Sequence, residues 1–204
     1  MTIRLHRGDL PDLSAYSGPI AIDTETMGLQ HQRDRLCVVQ LSPGDGIADV
    51  VQLAPDPPAA PNLIRLLADP SILKIFHFAR FDLGALYQAF GVMPAPIYCT
   101  KIASRLARTY TDKHGLKDLV KELLGVDLSK QQQSSDWGAE ELSDAQVAYA
   151  ASDVLHLHAI RDRLDAMLAR EGRADLAAAC FRFLPDRVRL DLAGWDQEDV
   201  FAHS

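Results

Sequence analysis

Four acidic residues and one tyrosine occupy places in the sequence where they could share one site. Asp23 and Glu25 stand in the tripeptide D-T-E at the end of a short apolar run. Side chains alternate along a strand, so both carboxylates are expected on the same face. Two carboxylates side by side repel each other unless a cation lies between them. The tripeptide alone is weak, because acidic residues also end strands where ordinary loops begin.

Two further segments supply the other candidates. Asp82 follows another apolar run near the predicted start of a helix, where an ordinary acidic residue is also favoured by the helix dipole. Tyr149 and Asp153 are four residues apart in a predicted late helix, which puts the phenol and the carboxylate on one face. Each segment is common by chance. Their order along the chain, each at a suitable structural position, favours a single carboxylate site.

The predicted strands and helices bring these segments to one core. The turn P-G-D-G at residues 43–46 predicts a hairpin between its flanking strands. Ser143 and Gln146 form a predicted capping box that opens a long helix to about Arg170. Strands are predicted at residues 19–24, 35–42, 47–53, 72–76 and 96–99, and helices at 62–68, 80–90, 100–108, 116–124 and 174–184. Strands first and then helices indicate an α/β or α+β fold in one domain.

Length and composition suit one domain over residues 1–204, with 48% hydrophobic and 24% charged residues. The net charge of −7 argues against a broad electrostatic grip on long nucleic acid. Without a membrane-length apolar run or the apolar core of a signal peptide, we expect a cytoplasmic protein with no membrane contact. The three cysteines, Cys37, Cys99 and Cys180, form no C-x-x-C pair, so reduced buried thiols are expected.

The order D-x-E, then an aspartate after a strand, then Y-x-x-x-D on a late helix resembles the DEDD exonuclease superfamily. The proofreading branch carries a histidine one place earlier than this tyrosine, where the chain has Ala148, so the tyrosine marks the ribonuclease D-like branch. The phrases H-F-A-R-F-D, Q-S-S-D-W and Y-A-A-S-D-V-L-H-L resemble ribonuclease D as well. The resemblance implies a ribonuclease H-like exonuclease fold of class α/β, with a mixed central sheet flanked by helices and a catalytic core at about residues 19–165.

The segment K-I-A-S-R-L-A-R-T-Y-T-D-K-H-G-L-K and the ending F-A-H-S closely resemble the nano-RNase C family, which forms ring-shaped octamers that degrade dinucleotides. This resemblance implies a homo-octamer and no counterpart of the extra helical domains of full-length ribonuclease D. A helical tail at about residues 170–204 is the expected subunit contact, because it carries many large apolar side chains. The alternative is that the tail folds back on its own core. The side chains are those of Phe181, Phe183, Leu184, Leu190, Leu192, Trp195 and Phe201.

The resemblance also implies a mechanism with two divalent cations, Mg²⁺ or Mn²⁺. Asp23 is expected to bridge both cations, Glu25 and Asp153 to bind the one on the nucleophile side, and Asp82 the one on the leaving-group side. Tyr149 is expected to orient the attacking water, because an ordinary phenol is a poor base at neutral pH.

Three functions remain at this point. The first is a 3′–5′ exoribonuclease for very short RNA, with 5′-phosphorylated dinucleotides as substrates and nucleoside 5′-monophosphates as products. The second is a broader ribonuclease D-like enzyme that trims RNA or DNA. The third, a non-catalytic RNA-binding module, is disfavoured because all four carboxylates and the tyrosine are present.

The expected substrate contacts leave alternatives open. Leu29 is expected either to wedge between two bases or to pack on the core, and His77 either to approach the substrate or to be a buried hydrogen-bonded histidine. A loop with polar donors is expected to hold a terminal phosphate or simply to be solvated. Trp137 is expected to anchor packing. The substrate-binding set is Thr24, Leu29, His77, Lys130, Gln131, Ser134 and Ser135, and Arg105, Arg108, Lys113 and Lys117 are expected to line an interface or channel or to be scattered solvated charges.

Overall fold

A mixed sheet forms the centre of the computed structural model, which describes residues 2–55, 59–129, 132 and 134–203. Within those residues the strand order is β1-β4-β3-β2-β5-β6. Strands β2, β3 and β4 run antiparallel, whereas β1 is parallel to β4, and β5 is parallel to both β2 and β6. The strands are β1 (Thr2–Arg7), β2 (Ile20–Thr26), β3 (Leu36–Ser42), β4 (Ile47–Gln52), β5 (Lys74–Phe76) and β6 (Ile97–Cys99). The predicted mixed sheet and the β3–β4 hairpin are confirmed.

The degree to which each strand is buried explains which strands could be predicted from the sequence. Every residue of β3 is buried, so it is a continuous apolar and β-branched run in the middle of the sheet. Strand β1 was not predicted. It lies at the edge of the sheet and is mostly exposed, so it lacks a strong apolar pattern. It forms because β4 offers a free edge, with Leu5 opposite Val50.

The helices flank the sheet: α1 (Pro61–Ala68), α2 (Ala79–Phe90), α3 (Thr100–Ala107), α4 (Leu116–Leu124), α5 (Asp144–Leu155), α6 (Leu157–Arg170) and α7 (Ala174–Leu190). The long helix predicted from Ser143 to Arg170 is wrong in one respect, because it breaks at His156. Helix α5 packs on strands β1 to β4, whereas α6 packs mainly on α3, α4 and α7. One straight helix could not serve both surfaces, so the chain changes direction at His156.

The last helix is also longer than predicted. Helix α7 continues through Pro185 to Leu190 and is followed by a kinked turn at Asp191–Trp195, in which Gly194 has φ 103°. Proline removes a backbone donor and normally ends a helix. Here Leu184 and Val188, on either side of Pro185, are both buried in the core, and this packing offsets the lost hydrogen bond.

Arg108 corrects the expectation of an interface, channel or solvated residue. Its side chain is entirely buried, and it donates hydrogen bonds to Ser104 Oγ at 2.9 Å and to the Lys113 carbonyl at 2.8 Å. It also forms an ion pair with Glu122. The guanidinium is therefore a structural tie between α3 and α4.

Other buried groups agree with the expectations. Trp137 is only 3% exposed and lies in the core, which confirms its role in packing. Cys37 and Cys99 are free and buried as expected, whereas Cys180 is free but only half-buried. None of the helices in the described part of the chain is long and apolar enough to cross a membrane.

The tail divides into a packed part and an exposed part. Phe181 and Leu184 are buried in the core, so this part of the tail does fold back on its own chain. Phe183, Trp195 and Phe201 remain 38%, 44% and 75% exposed.

The turn after α7 is fastened next to α2. Arg80 donates to both carboxylate oxygens of Asp191, at 2.5 and 2.7 Å. Arg80 lies in the first turn of α2, two residues before Asp82. The C-terminal segment is therefore tied to the helix that carries one of the candidate catalytic acids.

Candidate active site

Strand β2 carries the first two carboxylates to the end of the sheet. Its residues Ile20, Ala21 and Ile22 are fully buried, and the strand becomes polar at Asp23. The Gln40 amide on β3 donates to Asp23 Oδ2 at 3.2 Å. The β2–β3 register shifts between Glu25 and Thr26, an irregularity of a kind that is common beside active sites.

Helix α5 brings the third carboxylate to the same place. One carboxylate oxygen from each of Asp23, Glu25 and Asp153 lies within 4.8 Å of the other two. The predicted capping box is present, since the Ser143 side chain accepts from Gln146 N–H and the Gln146 side chain accepts from Ser143 N–H. This box fixes the residue at which α5 begins. It therefore also fixes the position of Asp153 relative to Asp23 and Glu25 on β2.

Tyr149 lies one turn before Asp153 on α5, as the spacing predicted. Burial first, and then the neighbouring Asp153 carboxylate, raise the pKa of its phenol. Its ring lies 6.1 Å from that of Trp137, measured between centroids. The phenol is therefore held beside the carboxylate cluster by its place on α5 and by the packing of its ring near Trp137.

Asp82 enters the cleft from the first turn of α2. It is 3% exposed, and Thr24 Oγ1 donates to Asp82 Oδ1 at 2.7 Å. Asp82 lies outside the cluster of three oxygens but lines the same cleft. Thr24, which the sequence placed among the substrate contacts, thus has its hydroxyl engaged with a carboxylate.

Loss of water raises the pKa of all four carboxyls. Burial and the neighbouring acids hold the pKa of Asp23 well above its usual range and raise the pKa of Glu25 to about 9. Burial likewise raises the pKa of Asp82 to about 7 and that of Asp153 to about 7, even though Thr24 donates a hydrogen bond to Asp82. Without a cation, the cluster therefore retains protons near neutral pH.

The donor set fits hard divalent cations. The four side chains offer only carboxylate oxygens, which Mg²⁺ and Mn²⁺ prefer. No Lys, Arg or His among the described residues forms an ion pair with any of these four carboxylates. The carboxylate cluster therefore lacks an ion-paired cation, and Asp23, Glu25, Asp82 and Asp153 would hold a divalent cation there.

A cleft of about 720 Å³ opens above the acids, a size typical of small-molecule sites. Its walls come from the end of β2, the loop that follows it, the start of α2, and the loop before α5. Besides the five candidate catalytic residues, the lining includes Leu29, His77, Phe78, Lys101, Lys117, Ser134 and Ser135.

The structure places most of the expected substrate contacts in this cleft. Leu29 is 82% exposed at the rim, so it does not pack on the core. His77 lines the cleft and is also hydrogen-bonded, through Nδ1 to Thr100 Oγ1 at 2.9 Å. Burial lowers the pKa of His77 to about 3, so the ring is neutral. Ser134 and Ser135 line the cleft, whereas Lys130 and Gln131 lie outside the described residues.

Several residues of the cleft, among them Phe78, Lys101 and Lys117, were not singled out as substrate contacts from the sequence. Phe78 lies within H-F-A-R-F-D beside His77, and Lys101 opens the segment K-I-A-S-R-L. Lys117 was grouped with interface or channel residues. The two lysines bring positive charge to a cleft that is acidic at its base. The only available signal was their position inside motif segments, because their meeting depends on how α2, α3 and α4 pack.

Comparison with known proteins gives the family. The model of the 3′–5′ exonuclease family matches residues 10–169. Ribonuclease D from Gluconacetobacter diazotrophicus is 41% identical over 167 residues, which are 82% of this chain and 42% of that protein. The chain thus spans about two fifths of the length of the curated relatives it matches.

Solved structures resemble the whole chain. Brucella melitensis NrnC with bound Mg²⁺ is 60% identical with a TM-score of 0.96. The same protein bound to pGG is 61% identical with a TM-score of 0.97, and both comparisons cover 100% of each chain. The fold is therefore the ribonuclease H-like exonuclease fold that the sequence predicted.

The carboxylate cluster predicts a pH-dependent stability of the metal-free chain. Each carboxyl binds its proton more tightly in the folded chain than in the unfolded chain, where its pKa is about 4. The stabilisation is thus complete below about pH 4 and is lost as the pH rises through about 7 for Asp82 and Asp153 and about 9 for Glu25. In EDTA, the melting temperature is expected to fall from about pH 5 to about pH 9.

Asp153→Asn provides the matched variant for this experiment. It removes one titrating group, so in EDTA at about pH 8 it is expected to melt above the wild type. With Mg²⁺ the order is expected to reverse, because the variant loses a metal ligand. A wild-type melting temperature that is independent of pH in EDTA would contradict this electrostatic account.

Proposed function

This chain belongs to the 3′–5′ exonuclease family, and we propose that it hydrolyses the 3′-terminal phosphodiester bond of very short RNA. The proposed substrates are 5′-phosphorylated dinucleotides, and the products are nucleoside 5′-monophosphates. The observation that carries the proposal is the meeting of Asp23, Glu25 and Asp153 within 4.8 Å in one cleft, with Asp82 and Tyr149 lining the same cleft.

Hydrolysis requires a water oxygen to attack phosphorus while the bond to the leaving 3′ oxygen breaks. Two divalent cations, Mg²⁺ or Mn²⁺, held by Asp23, Glu25, Asp153 and Asp82, would acidify the attacking water and neutralise charge on the phosphate and the leaving oxygen. Asp23 would contact both cations, since the pKa of its carboxyl is raised by burial and by all three other acids. Thr24 fixes the Asp82 carboxylate through its 2.7 Å hydrogen bond.

Tyr149 serves to position the attacking water in this proposal. Burial and the adjacent carboxylates raise the pKa of its phenol above the ordinary value, so the hydroxyl keeps its proton. A protonated phenol donates and accepts hydrogen bonds but does not remove a proton at neutral pH. Its fixed place beside Asp153 lets it orient a water towards the phosphate.

The proposed substrate size rests on the volume of the cleft and on the residues that line it. A volume of about 720 Å³ suits a short oligonucleotide, and a relative that shares the whole chain length has been solved with the dinucleotide pGG. Leu29 stands exposed at the rim, where it can enter between two bases. Ser134 and Ser135 supply hydroxyls for a terminal phosphate, and Lys101 and Lys117 supply positive charge.

A homo-octamer is the proposed assembly. Trp195, Val200 and Phe201 are exposed apolar residues that follow α7, and exposed apolar patches of this kind usually mark interfaces. Closed symmetric rings are favoured over open chains. We place the protein in the cytoplasm, in keeping with its free cysteines.

Activity is expected to depend on the carboxylates and, to a smaller degree, on the phenol. Asp23→Asn removes a metal ligand while keeping the shape of the side chain, so turnover is expected to fall by orders of magnitude. Tyr149→Phe keeps the ring and removes only the hydroxyl, so kcat is expected to fall by about 100-fold. Release of mononucleotide from a labelled dinucleotide measures both effects, and EDTA is expected to abolish the wild-type activity.

Asp162→Asn is the control, because its side chain is 68% exposed on α6 and its activity is expected to equal that of the wild type. Near-normal turnover by metal-stripped Asp23→Asn would refute the metal-dependent mechanism. A Tyr149→Phe enzyme with wild-type kcat would show that the tyrosine has only a structural role.

Substrate length provides the third prediction. Hydrogen bonds to a charged phosphate contribute about 1.5–3 kcal/mol each, and they are out of reach when the 5′ end lies several nucleotides away. We therefore expect kcat/KM for a 5′-phosphorylated dinucleotide to exceed that for a heptanucleotide by at least about tenfold. Single-turnover cleavage of the two labelled RNAs in the same salt measures this ratio.

A Ser134→Ala/Ser135→Ala double variant tests the source of that preference. It is expected to weaken cleavage of the 5′-phosphorylated dinucleotide more than that of the same dinucleotide with a 5′-hydroxyl. Ser71→Ala, far from the cleft, serves as its control. Equal wild-type rates and affinities for both lengths would favour the broader trimming activity of the ribonuclease D type.

Assembly is tested by light scattering at micromolar concentration. The expected mass is about 180 kDa, eight times the 22.5 kDa chain. Phe201→Asp places a charge in the exposed patch and is expected to lower the mass, whereas Leu5→Asp, on the edge strand β1, is not. A wild-type mass near 22.5 kDa would refute the oligomer.

A further inference from the structure

Phe78 has an unusual backbone for an aromatic residue. It joins β5 to α2 with φ 68° and ψ 42°, in the left-handed region. Among the described residues it is the only non-glycine residue with a positive φ. Bulky side chains disfavour this conformation, and where it persists it collects at functional sites.

The side chain is as unusual as the backbone. Phe78 is 45% exposed, although its neighbours Phe76 and Ala79 are fully buried. The left-handed turn projects the ring out of the core, while the Phe78 carbonyl accepts a turn hydrogen bond from the Phe81 N–H at 3.0 Å. Glycine or asparagine would suit this backbone better, and a polar residue would suit this exposure better. Neither local folding nor packing therefore accounts for a phenylalanine here.

Lys101 covers part of the ring. Its Nζ lies 4.0 Å from the ring centroid, in a cation–π contact. Lys101 lines the catalytic cleft, whereas Phe78 lines both that cleft and a neighbouring pocket of about 450 Å³. The exposed Leu29 lines both cavities as well. Phe78 therefore stands at the junction of the two cavities.

We propose that Phe78 is a stacking platform for a nucleobase of the substrate, on the ring face that Lys101 leaves open. A phenyl ring has no hydrogen-bonding group, so it accepts every base, and a purine offers it the larger surface. Lys101 holds the ring in place and adds positive charge beside the sugar-phosphate backbone. This inference rests on the proposed function, since it names the group that recognises the base in the same short RNA.

The test compares Phe78→Ala with the wild type on three dinucleotides: the intact 5′-phosphorylated dinucleotide, and two versions that lack one base, at the 5′ or the 3′ position. Stacking on an aromatic side chain changes affinity by about tenfold or more per base. Phe78→Ala is expected to raise KM for the intact dinucleotide by about tenfold with little change in kcat. For one of the two abasic dinucleotides, wild type and variant are expected to be equal, and that dinucleotide identifies the stacked base.

Two further variants separate stacking from backbone effects. Phe78→Trp keeps an aromatic face and is expected to retain wild-type KM. Phe78→Gly accepts the left-handed backbone without cost and is expected to be as impaired as Phe78→Ala. Recovery of activity in Phe78→Gly would overturn the proposal, because it would place the effect in the backbone. An equal loss by Phe78→Ala on all three dinucleotides, or no loss at all, would also overturn it.

Binding of the same dinucleotides in EDTA, followed by fluorescence anisotropy, distinguishes this inference from the proposed function. A wild-type chain that binds the dinucleotides in EDTA but does not cleave them once Mg²⁺ is supplied would refute the proposed function, while the binding data would still show whether the Phe78→Ala effect requires a base. A base-dependent loss of binding supports the stacking role. A loss of binding by Phe78→Ala that is the same for the intact dinucleotide and for both abasic dinucleotides would overturn it.

Discussion

Repulsion among four carboxylates withdrawn from water is the constraint on which the rest of this structure depends. Asp23, Glu25, Asp82 and Asp153 arrive from a strand and two helices, and burial raises the pKa of each. The described part of the chain offers them hydrogen bonds from neutral donors but no ion pair. Affinity for a divalent cation and the low stability of the metal-free cluster therefore have the same electrostatic origin.

The fold holds these groups together by contacts at the edges of the site. The fully buried half of β2 anchors Asp23 and Glu25 in the sheet. Helix α5 is capped at Ser143 and packs on that sheet. Because the chain breaks at His156, α6 can run in a different direction from α5. Thr24 links β2 to α2 through Asp82. The stability needed to bring like charges together thus comes from apolar packing and capping outside the cluster.

The sequence by itself determined the chemistry of the site, because that information is local. A two-residue spacing on a strand and a four-residue spacing on a helix put side chains on one face whatever the rest of the fold does. The same holds for the central strands, whose β-branched apolar runs are visible without a partner, and for the capping box at Ser143. The carboxylates, Tyr149 and most of the regular elements were accordingly predictable.

Only the tertiary structure decided which strands, helices and side chains contact one another. Strand β1 exists because β4 has an open edge, and α7 passes Pro185 because Leu184 and Val188 are buried together. Arg108 carries a charge that sequence patterns assign to the surface, yet the fold buries it entirely, paired with the partly exposed carboxylate of Glu122. The meeting of Phe78 with Lys101 has the same cause. These features depend on contacts between segments that are distant in the chain, and such contacts cannot be predicted from the local periodicity of the sequence.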